Sequence, residues 1–178
     1  MKQVFTLLLL ILLAPVTMAD GKLGRQQYQA GEFLAAVENF QAAANVLDSG
    51  PEKAAILNDL ALAQEAIGDT RGAAASLKSA QSMLTLSRHP DLFTKVSLNE
   101  QRLQLITGKR STVMAEFLQL DGYLSQIRTP HTKVELLLGA ADLARKLFWH
   151  FGADADVILQ AMKWLDRKST RLNSSHQI

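Results

Sequence analysis

From Asp20 to Leu165 apolar residues return every three or four positions, the period of an α-helix with one buried face. Phe33, Ala36, Phe40, Ala43, Ala44 and Leu47 make one such stripe. Leu57, Leu60, Ala61 and Ile67 make a second, interrupted by polar Gln64, and Leu92, Val96, Leu103 and Ile106 make a third. Turn-forming residues gather between the stripes, at Ala30-Gly31, Asp48-Ser49-Gly50-Pro51, Gly68-Asp69-Thr70, His89-Pro90, Thr107-Gly108 and Thr129-Pro130. Proline is at home in the first turn of a helix, where its missing N–H has no partner to lose, so Pro51, Pro90 and Pro130 predict helix starts. Thr129 has the side chain of an N-cap for the helix that follows. The alternation over Lys95 to Asn99 has no turn signal on either side and falls inside the third stripe, so it predicts no strand. The pattern predicts an all-α chain.

The predicted helices come in pairs, and the pairs align. Gly31, Ala36, Phe40 and Ala43 recur 37 residues later as Gly68, Ala73, Leu77 and Ala80. A third copy, shifted by a further 40, reads Gly108, Val113, Phe117 and Leu120. Leu23-Gly24 and Leu60-Ala61 stand at matching positions before the first two glycines. Small residues there allow the two helices of a pair to approach closely, and the large residue nine places after the glycine fills the gap towards the next pair. Self-similarity near this period is the signature of a helical solenoid.

On these residues the chain resembles the tetratricopeptide repeat (TPR) family. Leu23, Gly24, Gly31, Ala36, Phe40 and Ala43 follow that family's pattern, as do Leu57, Leu60, Ala61, Gly68, Ala73 and Ala80, with Leu77 in place of an aromatic. The aromatic that the pattern expects three residues after the small one is replaced by Gln27 and Gln64, and the spacing exceeds the usual 34 residues. The likeness is close over residues 21–85 and weak over 92–165, where a fourth pair (about 131–150 and 154–165, turning at Gly152) shows only an apolar pattern. It implies a right-handed superhelical solenoid of antiparallel helix pairs whose first helices line the concave side. It also implies groove-facing positions at Arg25, Tyr28, Asn58, Glu65 and Arg102. There the arginines would grip a carboxylate or acidic peptide, and Tyr28 would supply a rigid contact.

The two ends differ from the body. Residues 1–19 hold one lysine, an apolar run around Leu7–Ala14, Pro15, and small Thr17 and Ala19 where a signal peptidase requires them, so cleavage after Ala19 is expected. The run is too short to span a bilayer, for which about 20 apolar residues are needed. With no cysteine in the chain, export points to a periplasmic or secreted protein with no membrane insertion after cleavage. Asp166 to His176, DRKSTRLNSSH, resembles the translation of a short-read sequencing adapter. Residues 166–178 are therefore expected to be a non-native tail. The helical domain over 20–165 is then expected to be the front portion of a longer protein.

Composition narrows the chemistry. Net charge is +2, but without the leader and tail the body holds 15 basic and 16 acidic residues, which gives no electrostatic reason to expect nucleic-acid binding. His89 and His131 each sit beside a helix-starting proline. His150 with Asp154 and Asp156 matches no compact metal motif. Thr107-Gly108-Lys109-Arg110-Ser111-Thr112 fails as a phosphate loop, because Leu103 holds the place of the first glycine and Arg110 that of the Ser/Thr. Phe148, Trp149 and Phe151, joined by Trp164, form the aromatic cluster, expected to pack inside the last pair or else to bare a docking patch. With no nucleophile-and-base set, the expectation is a non-enzymatic scaffold, without cofactor or metal, for a protein or peptide partner. Two other readings stay open: a recognition arm of a larger exported enzyme, such as a caspase-like CHAT-domain peptidase, and an assembly factor at the outer membrane.

Overall fold

A computed structural model describes residues 21–108, 110–152, 160, 161, 163, 164 and 166. Among them stand seven helices and no strand: α1 (Gly21–Ala30), α2 (Phe33–Val46), α3 (Pro51–Ala66), α4 (Thr70–Ser82), α5 (Pro90–Thr107), α6 (Arg110–Gln126) and α7 (Pro130–Phe151). The chain is all-α, as the periodicity predicts. The leader with its cleavage position, Asp154 and Asp156, and residues 167–178 lie outside the described residues. No described helix is long and apolar enough to cross a membrane.

The first two corners are the same object. Gly31 and Gly68 adopt φ of +82° and +83°, left-handed values that cost a residue with a Cβ about 1–2 kcal/mol. At the first corner Gly31 N–H donates to Tyr28 C=O and Glu32 N–H to Gln27 C=O; at the second, Gly68 donates to Glu65 and Asp69 to Gln64. Each is the double bond of a Schellman end, which satisfies carbonyls the helix would otherwise strand. Asp69 then caps α4 by accepting from Gly72 N–H at 2.9 Å, while Glu32 makes no side-chain cap to α2. Pro51, Pro90 and Pro130 all open helices; Thr129 occupies the cap position of α7 but its hydroxyl makes no cap bond.

The third copy departs from the expected repeat at its corner. Gly108 is extended, at φ −93°, so it does not reproduce the left-handed turn of Gly31 and Gly68. Glycine is required there for space: a Cβ would stand 2.6 Å from the Gln104 carbonyl oxygen. Val113, Phe117 and Leu120 are nevertheless fully buried, as the alignment predicts. The regularity of the first helices runs through another residue. Gln27 Oε1 accepts from Asn39, Gln64 Oε1 accepts from Ser76, and Gln101 Nε2 donates to the Glu116 carbonyl. The three glutamines lie 37 residues apart, and each bonds across to the second helix of its own pair. The first two reach 12 residues along the chain and the third 15, so the three extra residues of the third repeat fall between Gln101 and Glu116.

Packing follows the pairs. Each helix lies against its neighbours along the chain, and the first helices also meet one another, α1 on α3, α3 on α5 and α5 on α7. No comparable packing joins α2 to α4 or α4 to α6 among the described residues. Gly24 admits the Phe40 ring, which an added Cβ would meet at 2.7 Å, and Gly139 admits Leu98 in the same way between α7 and α5. Two cores result, one running from Ala36 to Leu103 and the other from Leu105 to Trp164, with α5 contributing to both. Leu23, Ile67 and Ile106 are exposed, because each falls at a helix end or on the face turned away from the partner helix.

Candidate ligand groove

The first helices stack side by side, so residues one repeat apart come into register. Tyr28, Glu65 and Arg102 are spaced by 37 and line one depression of about 480 Å³, together with Leu62 from α3, Ile106 from α5, and Lys146 and His150 from α7. All four first helices contribute to it, and none of α2, α4 or α6 does. Two further depressions continue the same face. One, about 320 Å³, lies between α1, α3 and α5 over the Phe40 ring and holds Arg25, Tyr28, Leu62, Leu92 and Lys95. The other, about 210 Å³, lies between α5 and α7 and holds Lys95, Leu98, Arg102, Glu135 and Gly139. Tyr28 and Leu62 border the first two depressions, Arg102 the first and third, and Lys95 the second and third. The three form one continuous groove.

The structure brings the five expected groove residues together but assigns them different work. Arg25 Nε donates to Asp59 at 2.7 Å and Arg102 Nη2 to Glu65 at 2.5 Å, so both guanidinium charges are already compensated, α1 to α3 and α3 to α5. Pairs this exposed contribute about 0–1 kcal/mol and serve to fix the register of neighbouring helices. Arg102 retains a buried Nε with no acceptor. Asn58 is 1% exposed, and its Oδ1 accepts from Asn99 Nδ2 at 2.8 Å. It is a structural tie from α3 to α5, paired because an unpaired amide at that depth would be costly. Tyr28 is half-buried, with its ring edge-on to Phe33 at 5.4 Å, and remains a groove wall.

Beyond these, Asp142 on α7 accepts from Lys146 at 2.9 Å and Arg145 at 2.7 Å, and those hydrogen bonds hold its carboxyl below the usual carboxylate range. Away from the groove, Glu100 is pushed up, first by burial and then by the Glu116 carboxylate, against a smaller opposing pull from Lys78. The aromatic cluster is not one unit. Phe148 and Trp149 meet edge to face on the exposed end of α7. Trp164 is instead buried against Phe117 of α6, with its indole N–H donated to Asp121 at 3.0 Å. The side chain of Phe151 lies outside the described residues.

Sequence reasoning passed over Leu62, Lys95 and the contribution of α7. Leu62 and Lys95 lie one repeat away from Arg25 and Asn58, so the 37-residue period was the signal that could have found them. Comparison with protein-family models, curated proteins and solved structures finds no match to this chain.

Proposed function

We propose that the chain is a non-catalytic binding scaffold of TPR type, in which a right-handed superhelical stack of helix pairs holds a protein or peptide segment along the row of its first helices. The observation that carries this reading is the groove itself, walled by α1, α3, α5 and α7, with the Phe40 ring of α2 at the floor of one depression. First helices that pack on one another, where the second helices show no comparable packing among the described residues, favour a stack that curves towards the first row, as solenoid binding surfaces do. The groove mixes apolar floor residues with charged rims, the composition of a recognition surface for an extended chain. The leader-like residues 1–19 place the binding outside the cytoplasm in this reading.

The test is selection of displayed random octapeptides against the immobilised full chain, followed by fluorescence anisotropy with the recovered peptides. Binders are expected to lose affinity at least tenfold with Tyr28→Ala or Leu62→Asp, about 1.4 kcal/mol or more. Ala74→Asp, on the exposed side of α4, is expected to leave binding unchanged. Failure to recover binders, or binders indifferent to Tyr28 and Leu62, contradicts the proposal.

A further inference from the structure

We infer that Lys95 is the recognition cation of the groove, and that the segment it selects carries an acidic side chain next to a bulky apolar one. This rests on the binding reading above and makes the ligand specific. Along the groove, the charges of Arg25, Arg102 and Lys146 are each met by a carboxylate of the chain itself, Asp59, Glu65 and Asp142. Lys95 forms no ion pair or hydrogen bond with any described residue. It is half-buried, and it stands where the depression over Phe40 adjoins the depression over Gly139. Of the two carboxylates that line the depression over Gly139, Asp142 is held by Arg145 and Lys146, and Glu135 forms no ion pair with Lys95.

That position joins two recognition elements. On the α1 side the Phe40 ring, Leu62 and Leu92 offer an apolar recess of about 320 Å³, enough for one leucine, methionine or phenylalanine side chain. On its rim stands Lys95, whose ammonium forms no ion pair with a described residue, so an incoming carboxylate gains a charge-assisted bond without displacing one of those. A carboxylate offered to Arg25 or Arg102 must instead compete with Asp59 or Glu65. The partner is therefore a peptide segment with Asp or Glu adjacent to Leu, Met or Phe, the apolar side chain over Phe40 and the carboxylate on Lys95.

The same octapeptide selection on the full chain decides it. Recovered peptides are expected to be enriched in an acidic–apolar dipeptide. Their affinity is expected to fall about tenfold with Lys95→Gln, to recover in part with Lys95→Arg, and to lose much of its salt dependence in Lys95→Gln. Replacing the peptide's acid with its amide is expected to weaken binding to the natural chain but not to Lys95→Gln. Peptides that need Tyr28 and Leu62 yet are indifferent to Lys95, or show no acidic enrichment, overturn this inference and leave the groove standing. Failure to recover any binder overturns both.

Discussion

The first two helix pairs and the region from α5 onward solve the same packing problem with different side chains. In α1–α4 the seam residues are small: Ala36, Ala43, Ala73 and Ala80 are buried around Phe40 and Leu77, and both corners turn through a left-handed glycine. From α5 onward the aligned seam positions hold Val113, Phe117 and Leu120, the helices lengthen to 18, 17 and 22 residues, and the corner at Gly108 is extended. Small seams bring helices close and allow tight corners. Larger seam residues fill more space between helices, and the three residues inserted between Gln101 and Glu116 fall within α5, which runs six residues past its glutamine where α1 runs three and α3 two. What both regions share is the row of first helices, because the glutamine ladder keeps its 37-residue step into α5. The face that forms the groove is thus more regular than the core beneath it.

The largest effects separate the two seams. Phe117→Ala is expected to cost about 3–5 kcal/mol, since it empties a fully buried site and removes the edge-on partner of Trp164, and urea unfolding measures it. In the small seam the damage comes from added bulk: Ala36→Trp or Ala73→Trp is expected to cost about 1–3 kcal/mol or more. Near-natural melting of both would remove the close-packed seam. Next comes the ladder. Gln64→Ala strands the buried Ser76 hydroxyl at about 1–3 kcal/mol, and the double change Gln64→Leu with Ser76→Ala is expected to recover most of that.

The corners give a finer contrast. Gly68→Ala should cost about 1–2 kcal/mol and Gly68→Asn less, because asparagine tolerates the left-handed region. At Gly108, where the limit is space and not φ, asparagine is expected to do no better than alanine. The smallest effect is one of pH. Glu100 titrates higher in the folded chain than in the unfolded, so the folded state holds the extra proton just above pH 4.5 and loses stability as pH rises through that window. Glu100→Gln is therefore expected to raise the melting temperature by about 1–2 °C at pH 7 and by less at pH 4, read by circular dichroism.

Much of this was written in the sequence. Helical period, three prolines and two glycines located the helices, because each acts through local backbone physics that needs no tertiary context. The glutamine ladder was equally present but was read as a missing aromatic, since a polar residue at a seam interrupts an apolar stripe. Its role emerges only when Asn39, Ser76 and the Glu116 carbonyl are seen opposite it. Gly108 stands at the third corner, but its backbone angle was not legible because one residue type serves two needs, a left-handed φ and room for a neighbour. Arg25 and Arg102 line the depressions, but their carboxylate partners lie 34 and 37 residues away, a pairing that only the stacked helices disclose. Asn58 is groove-facing by the resemblance, yet its amide is buried. Its burial depends on Asn99, 41 residues on.

The stacking of first helices, on which groove and ligand both rest, can be measured directly because the chain has no cysteine of its own. Two double variants of the full chain, Arg25→Cys with Asp59→Cys and Glu65→Cys with Arg102→Cys, would be treated with a short bis-maleimide and followed by mass spectrometry at low protein concentration. We expect efficient cross-linking within one chain in both, α1 to α3 and α3 to α5, and none for the exposed pair Gln41→Cys with Arg71→Cys on the second helices. Helical, cooperatively melting variants in which neither groove pair cross-links would contradict the side-by-side row.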